Sequence, residues 1–243
     1  MDSFTKLKYL EDSYLLNDHA AIIDVNKDEK GNDVIILDQT IFYPQGSGQP
    51  YDQGIIKNEN AEMKINEVRF FEGKVHHIGQ MIKGIFSLED KVNLIVDETR
   101  RSFNRRNHTA GHLIDIAIKT IGEFTPVKGF HFPEGAYVEY QGVIDESKRE
   151  EIKAKIQQEV DKIIASNLGV VCQLTSIDEL RNLCDFVPEW LPKDKPIRIV
   201  KIGDYKAHPC GGTHVRLTGE IKKMTIEKIS SKKGNTRISY KIE

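Results

Sequence analysis

Four side chains in this sequence have the chemistry of a metal site. His108 and His112 stand four residues apart, which on a helix places them about 40° apart around the axis and on one face. Cys210 and His214 are also four apart, with Gly211, Gly212 and Thr213 between them, and the glycine pair lets the backbone turn sharply. Imidazole nitrogen and thiolate sulfur are the donors zinc prefers, at roughly 2.0–2.1 Å and 2.3 Å. Either half alone is equally a pair of ordinary core or surface residues; the two halves together point to zinc. The residue after His108 is Thr109, which excludes the HExxH protease arrangement, where a glutamate at that place is the general base. Four protein ligands would close the shell and make zinc structural, whereas an open position would activate water, and ligand counting does not choose between them.

A second candidate is the loop Thr40-Ile41-Phe42-Tyr43-Pro44-Gln45-Gly46-Ser47-Gly48-Gln49-Pro50. Its glycines let backbone amides and the Gln49 amide approach a ligand closely, although a long β-turn would use the same residues. It lacks the Gly-Lys-Ser/Thr ending of a phosphate-binding P-loop and does not lead into a helix, so ATP binding is not expected. Two basic clusters accompany these candidates: Arg100, Arg101, Arg105 and Arg106 within seven residues, and a C-terminal lysine-rich stretch that includes Lys232 and Lys233. A charge run is ordinarily a solvated face, and beside a site it is also a phosphate-binding patch.

The elements that must position these residues change character near residues 90–98. Before that point, VIILD (34–38), GIIK (54–57), MKINEVRF (63–70), KVHHI (74–78) and KVNLIV (91–96) are short, rich in Val, Ile and Phe, and separated by turn residues, as in a small barrel or sandwich. After it, residues 100–121 place apolar residues at three- and four-residue intervals, which predicts an amphipathic helix bearing both His108 and His112. A second helix is predicted over about 146–167 and strands over AYVEYQG and 170–175, with Ser176 and Glu179 as a capping box. The end returns to strands, with 197–202 and a hairpin whose turn is expected at the Gly234-Asn235 step. The expected organisation is α+β: a β-barrel domain over 1–95 with the glycine-rich loop, then an α+β two-layer domain over 96–243 with the zinc site.

Composition bounds the rest. With 243 residues, 39% hydrophobic, 30% charged and a net charge of −2, this is a globular chain and not a basic nucleic-acid coat, so RNA contacts must be local. No run approaches the roughly 18–20 apolar residues of a membrane span, and the start lacks the apolar centre of a signal peptide. Three widely spaced cysteines, Cys172, Cys184 and Cys210, argue against a disulfide framework and fit a reducing compartment. A cytoplasmic protein is expected.

Taken together, these motifs resemble the alanyl-tRNA editing family, which is similar to the editing domain inside alanyl-tRNA synthetases. The points of likeness are Phe42-Tyr43-Pro44, the loop Gly46-Ser47-Gly48-Gln49, Asp52 and Gly54, the HxxxH of His108 and His112, the unchanged Cys210-Gly211-Gly212-Thr213-His214, and Thr218-Gly219-Glu220-Ile221. They span about Leu37 to Arg237, and Ser47 stands where the family loop has its middle glycine. The resemblance implies a small β-barrel followed by a zinc-bearing editing domain that hydrolyses the ester of a mischarged alanine tRNA, carrying serine or sometimes glycine, in trans and without ATP. It implies that His108, His112, Cys210 and His214 hold zinc and support a zinc-bound water. Thr40 would read the serine hydroxyl, with Gly46, Ser47, Gly48 and Gln49 lining the pocket. Arg100, Arg101, Arg105, Arg106, Lys232 and Lys233 would contact RNA phosphates. Asp38, Asp97 and His208 are further candidates for outer-sphere or acid–base roles. A non-catalytic, zinc-stabilised RNA-binding module is the competing reading.

Overall fold

The β-branched runs of the first part do form strands, and they close on themselves. In the computed structural model, which describes residues 4–189 and 191–243 and only the backbone of Lys232, two compact units are present, Met1–Phe103 and Asn104–Glu243. In the first unit, β1 (Lys6–Leu7) pairs in parallel with β4 (Gln39–Thr40). The strands β2 (Asn17–Lys27), β3 (Asp33–Leu37), β5 (Gly54–Lys57), β6 (Glu62–Phe71), β7 (Lys74–Lys83) and β8 (Lys91–Val96) form a closed barrel in the order β2-β3-β7-β6-β5-β8. Closure leaves no unpaired edge. Its interior is filled by Ile22, Ile35, Leu37, Ile56, Met63, Ile65 and Leu94, among others.

The long strand β2 has one short apolar run, residues 20–23, between polar ends. Only Ala20 and Ile22 of its eleven residues are buried, and it is held by pairing to β3 and β8 on its two sides.

Helix α1 (Glu98–Ala117) begins where Asp97 Oδ1 accepts from Arg100 N at 3.0 Å and caps the first turn. Asp97, an acid–base candidate, is therefore a helix cap. In the second unit, β9 (Pro126–Phe130) and β10 (Tyr137–Gln141) join β14 (Met224–Lys232) and β15 (Asn235–Ile242) in an antiparallel sheet of order β14-β15-β10-β9. Helix α2 (Arg149–Ala165) buries Ile152, Ile156, Val160, Ile163 and Ile164. Its Gln157 bridges to β14, donating to Met224 O at 2.9 Å and accepting from Ile226 N at 2.8 Å. A smaller sheet contains β11 (Val170–Thr175), β12 (Ile197–Ile202) and β13 (His208–Pro209), next to the short helix α3 (Ile177–Leu183), whose Ser176–Glu179 capping box is formed.

The β14–β15 turn differs from expectation by one residue. Lys233 (φ 50°) and Gly234 (φ 82°) are its central pair, and Asn235 is already paired with Lys232. Two successive left-handed residues are what a tight hairpin requires. Among the described residues, no helix is long and apolar enough to cross a membrane.

Candidate metal centre and substrate loop

The helical spacing of His108 and His112 and the turn after β13 bring four donors together. The ligand atoms of His108, His112, Cys210 and His214, all buried, lie within 4.8 Å of one another. Cys210 Sγ is 3.5 Å from His108 Nε2 and 3.3 Å from His214 Nε2, close to the edge of about 3.5 Å that tetrahedral zinc imposes on sulfur and nitrogen ligands. The loop is fixed by Arg198 on β12, whose Nη1 donates to Cys210 O (2.8 Å) and Gly212 O (2.9 Å). Gly212 N in turn points at Cys210 Sγ from 3.4 Å.

The outer hydrogen bonds decide which nitrogen of each imidazole is available. His112 Nδ1 lies 3.2 Å from Asp115 Oδ2, and Tyr140 Oη donates to Asp115 Oδ1 at 2.6 Å. A carboxylate can only accept, so His112 carries a proton on Nδ1, and Nε2 is the nitrogen turned toward the cluster, available to a cation once its own proton is displaced. That Nε2 is buried and turned toward the Cys210 thiol. Thr109 does the same for His214: its hydroxyl donates to Arg105 O at 2.8 Å, so at 3.2 Å it accepts from His214 Nδ1. Thr109, which excludes one protease class in the sequence, is an orienting residue in the structure.

Electrostatics agree with a cation-binding site. Burial, reinforced by neighbouring histidines, drives His108 and His214 well below the usual histidine range, so both are neutral ligands. Burial opposes charge on His112 too, yet Asp115 and Cys210 outweigh it and push its pKa up to about 10. Burial raises Cys210, and the hydrogen bond and charge of His112 more than reverse this, so the thiol falls below its ordinary value. A buried cluster that draws in a proton this strongly offers the same place to a metal cation, and these donors fit zinc.

His131, to which the sequence assigns no role, stacks on His108 with centroids 4.3 Å apart and rings 23° from parallel. Its Nδ1 is 2.6 Å from Tyr240 Oη, which donates to Asn107 O at 2.8 Å, and Asn107 Nδ2 donates to His131 O at 2.9 Å. The ring fits because two neighbours lack side chains: a Cβ on Gly111 would come within 2.4 Å of it, and one on Gly129 within 2.6 Å. A glycine inside the HxxxH helix was the available signal. His208 also joins the centre's surroundings; its ligand atom lies within 4.8 Å of those of His112 and Asp115.

The barrel unit holds the other candidates. Thr40 is 0% exposed. Its hydroxyl is 2.8 Å from His77 Nε2 and accepts from Phe42 N at 3.0 Å. His77 Nδ1 lies 3.0 Å from Ile35 O, a pure acceptor, so Nε2 is the lone-pair nitrogen and Thr40 donates to it. Burial lowers the His77 pKa to about 4. Gly46 and Gln49 pair across a tight turn (Gln49 N to Gly46 O, 2.8 Å), with Ser47 (φ 46°) and Gly48 (φ 73°) at its tip. Ser47 thus adopts the left-handed conformation that a glycine would take without strain. Gln49 is buried, whereas Gly46 and Ser47 are exposed.

The arginine cluster is mostly architecture. Arg101, expected at a phosphate, is 0% exposed and ion-paired with the equally buried Asp52. It also donates to Ser13 O (3.0 Å) and Ile41 O (2.5 Å), so burial and saturation remove it as an RNA contact. Arg105 is buried. Arg106 is half-buried and donates to the backbone carbonyls of Glu220, Ile221 and Glu243. Arg100 is half-buried, bonded to Tyr51 O (2.8 Å) and set over the Tyr51 ring. Lys233 is exposed, and the side chain of Lys232 lies outside the described residues. Asp38 Oδ1 accepts from Ala21 N at 2.8 Å, a strand-bracing contact. All three cysteines are free.

Two family models match: tRNA synthetases class II (A) over residues 7–100, and the threonyl and alanyl tRNA synthetase second additional domain over residues 197–239. The alanyl-tRNA editing protein AlaX-L of Pyrococcus horikoshii is 36% identical over 88% of this chain and 52% of its own length. Alanine-tRNA ligases of Thermoanaerobacter sp. and Clostridioides difficile are 35% and 33% identical over 81% of this chain and 23% of theirs. The chain thus spans about half of the first relative and under a quarter of the ligases. The matched residues run through the barrel and the strand-and-loop region that carries Cys210 and His214, and by these matches the chain is similar to alanyl-tRNA editing proteins and to a part of alanine-tRNA ligases.

Proposed function

We propose that this protein is a zinc-dependent aminoacyl-tRNA deacylase that acts in trans, in the cytoplasm, on alanine tRNA carrying serine, and also on the glycyl form. The observation that carries the reading is the buried cluster of three imidazoles and one thiol, with ligand atoms within 4.8 Å of one another, in a chain akin to alanyl-tRNA editing proteins. The physical need is plain. A synthetase pocket shaped for a methyl side chain cannot strongly reject glycine or a side chain that merely adds a hydroxyl, so a second, hydrolytic site must do it.

In this reading residues 1–95 are the barrel domain with the substrate loop, and residues 96–243 are the editing domain. His108, His112, Cys210 and His214 hold zinc, Asp115 and Thr109 orient two of the imidazoles, and Arg198 holds the cysteine loop. With a position opened in its shell, by a fifth ligand or by release of one of the four, zinc would supply Lewis-acid chemistry, polarising an ester carbonyl or lowering the pKa of water. Thr40 has its one proton committed to His77, so it meets a substrate hydroxyl as an acceptor. Seryl tRNA satisfies that lone pair, whereas the alanyl methyl leaves it unpaired, a difference in the right direction for editing. Gly46, Ser47, Gly48 and Gln49 line the terminal adenosine, and of the basic candidates the exposed Lys233 and the half-buried Arg100 meet phosphate.

The test is incubation of the purified chain with seryl-, glycyl- and alanyl-tRNA for alanine, with metal content measured alongside. The expected result is rapid loss of the seryl ester, slower loss of the glycyl ester and sparing of the alanyl ester. Stoichiometric zinc without turnover would favour the second reading, a closed zinc site stabilising an RNA-binding module. The four-donor cluster is what gives that reading weight.

A further inference from the structure

The four-stranded sheet of the second unit is covered on one face only. Along β15, Thr236, Ile238, Tyr240 and Ile242 are buried, while Arg237 and Ser239 are half-buried and Lys241 is exposed. Along β10, Val138 and Tyr140 are buried, and Tyr137 and Glu139 are not. The register aligns the uncovered residues in cross-strand rows: Lys128, Glu139, Arg237 and Ser230 in one, and Phe130, Tyr137, Ser239 and Lys228 in the next.

On this open face the aromatic rings form a column. Phe132 stacks on Phe130 with centroids 4.3 Å apart and planes 9° from parallel, and Phe130 stacks on Tyr137 at 5.2 Å and 20°. The Arg237 guanidinium sits 3.8 Å from the Tyr137 centroid, fixed by two hydrogen bonds to Glu139 Oε1 at 2.8 and 2.6 Å. Lys128 Nζ lies 5.9 Å from the same centroid. Lys128, Lys228 and Lys241 are exposed on or beside the column, and Lys233 is exposed at the hairpin tip. The acidic residues there, Glu139 and Glu227, are engaged with Arg237 and Lys241. Such a face holds flat rings and a surplus of cations. Lysine is depleted at protein–protein interfaces, whereas aromatic rings with flanking lysines suit bases and phosphates.

We propose that this sheet face binds unpaired RNA nucleotides, with a base extending the column at Phe132 and phosphates met by Lys128 and Lys228. The inference rests on the editing reading only for the owner of the RNA. It also gives the alternation of β9 and the residues after it a purpose, because Phe130 and Phe132 face the column while His131 between them faces the metal ligand His108.

Fluorescence anisotropy of the full chain with a labelled single-stranded RNA dodecamer, and with the same sequence as a duplex, tests this. The single strand is expected to bind more tightly. Phe132→Leu should weaken it by about tenfold, within the span found for loss of one stacked base. Lys128→Gln, at an exposed side chain that does not threaten folding, should flatten the salt dependence by about 0.7 in log–log slope. The proposal is overturned if Phe132→Leu and Tyr137→Leu melt normally and bind RNA as the parent does, or if the duplex is preferred. It is also overturned if these variants alter only the sedimentation of the protein, which would make the face a protein interface. Deacylation is measured separately: single-strand binding without turnover sinks the editing reading and leaves this one, and turnover with RNA affinity untouched by the variants does the reverse.

Discussion

Each unit buries a polar cluster, and the two are finished differently. In the barrel unit the groups satisfy one another: Thr40 donates to His77, His77 donates to Ile35 O, and each of the three nitrogens of Arg101 finds an acceptor on Asp52, Ser13 or Ile41. In the second unit three imidazoles and a thiol crowd together, with their ligand atoms all within 4.8 Å of one another. Burying a polar group costs free energy unless a partner compensates. A cluster whose donors and acceptors balance therefore needs no ion to be stable. One whose donor atoms converge on a single buried point could hold a cation there.

The largest effect should come from the converging cluster. Cys210→Ser is expected to remove the roughly one equivalent of zinc that a four-ligand site holds, to abolish deacylation and to lower the melting temperature, as chelation of the parent should also do. Retained zinc and turnover in this variant would break the comparison at its root. The self-satisfied cluster should respond to unbalancing instead. Asp52→Ala strands the Arg101 guanidinium in the interior and should destabilise the protein by about 3–5 kcal/mol, leaving zinc content per folded molecule unchanged. Denaturant unfolding of Asp52→Ala against a double variant that also has Arg101→Met checks the cause, since the double change should recover much of the loss.

His77 gives the same cluster a pH signature. Its folded pKa of about 4 lies below the ordinary histidine value of about 6.5, so between these the unfolded chain binds the extra proton. Stability from neutral His77 is complete above about pH 6.5 and drains away as the pH falls toward 4, by about 3 kcal/mol at the end of the window. His77→Gln can keep a partner for Thr40 without titrating. Unfolding free energies of both proteins across this window should converge at low pH, and parallel curves would show that His77 is not the titrating group. For the metal cluster the matching probe is Asp115→Asn. Losing the carboxylate that orients His112 should weaken zinc by about 10- to 100-fold in chelator competition, with Tyr140→Phe showing a smaller shift in the same direction.

Residue type and spacing made the second cluster legible and hid the first. His108, His112, Cys210 and His214 announce themselves because few structural reasons put imidazole and thiol at paired four-residue intervals. The strands β3, β5, β8, β11 and β12 were legible from β-branched runs, and the α3 capping box from Ser176 and Glu179. What escaped depends on distant partners. Strand β2 extends its short apolar run, residues 20–23, into polar residues at both ends, and its full length exists through pairing to β3 and β8. Arg101 is indistinguishable from its neighbours in a basic run until Asp52, forty-nine residues away, is seen against it. His131 acquires meaning only from Gly111, Gly129 and Tyr240 folding around it.

The smallest effect is expected at Ser47, where the loop departs from the family pattern. A left-handed φ of 46° costs a residue with a Cβ roughly 1–2 kcal/mol, and Ser47→Gly would relieve it. The same change frees the unfolded chain, which returns about 0.4–1 kcal/mol to the other side. The difference is a gain of about 1 kcal/mol or less, readable as a small rise in melting temperature. Ser47 is exposed and its turn is closed by the Gly46–Gln49 backbone pair, so the turn should keep its shape and the seryl-to-alanyl ratio should hold. A ratio that shifts while stability rises would mean that the serine hydroxyl itself, and not only the loop backbone, touches substrate.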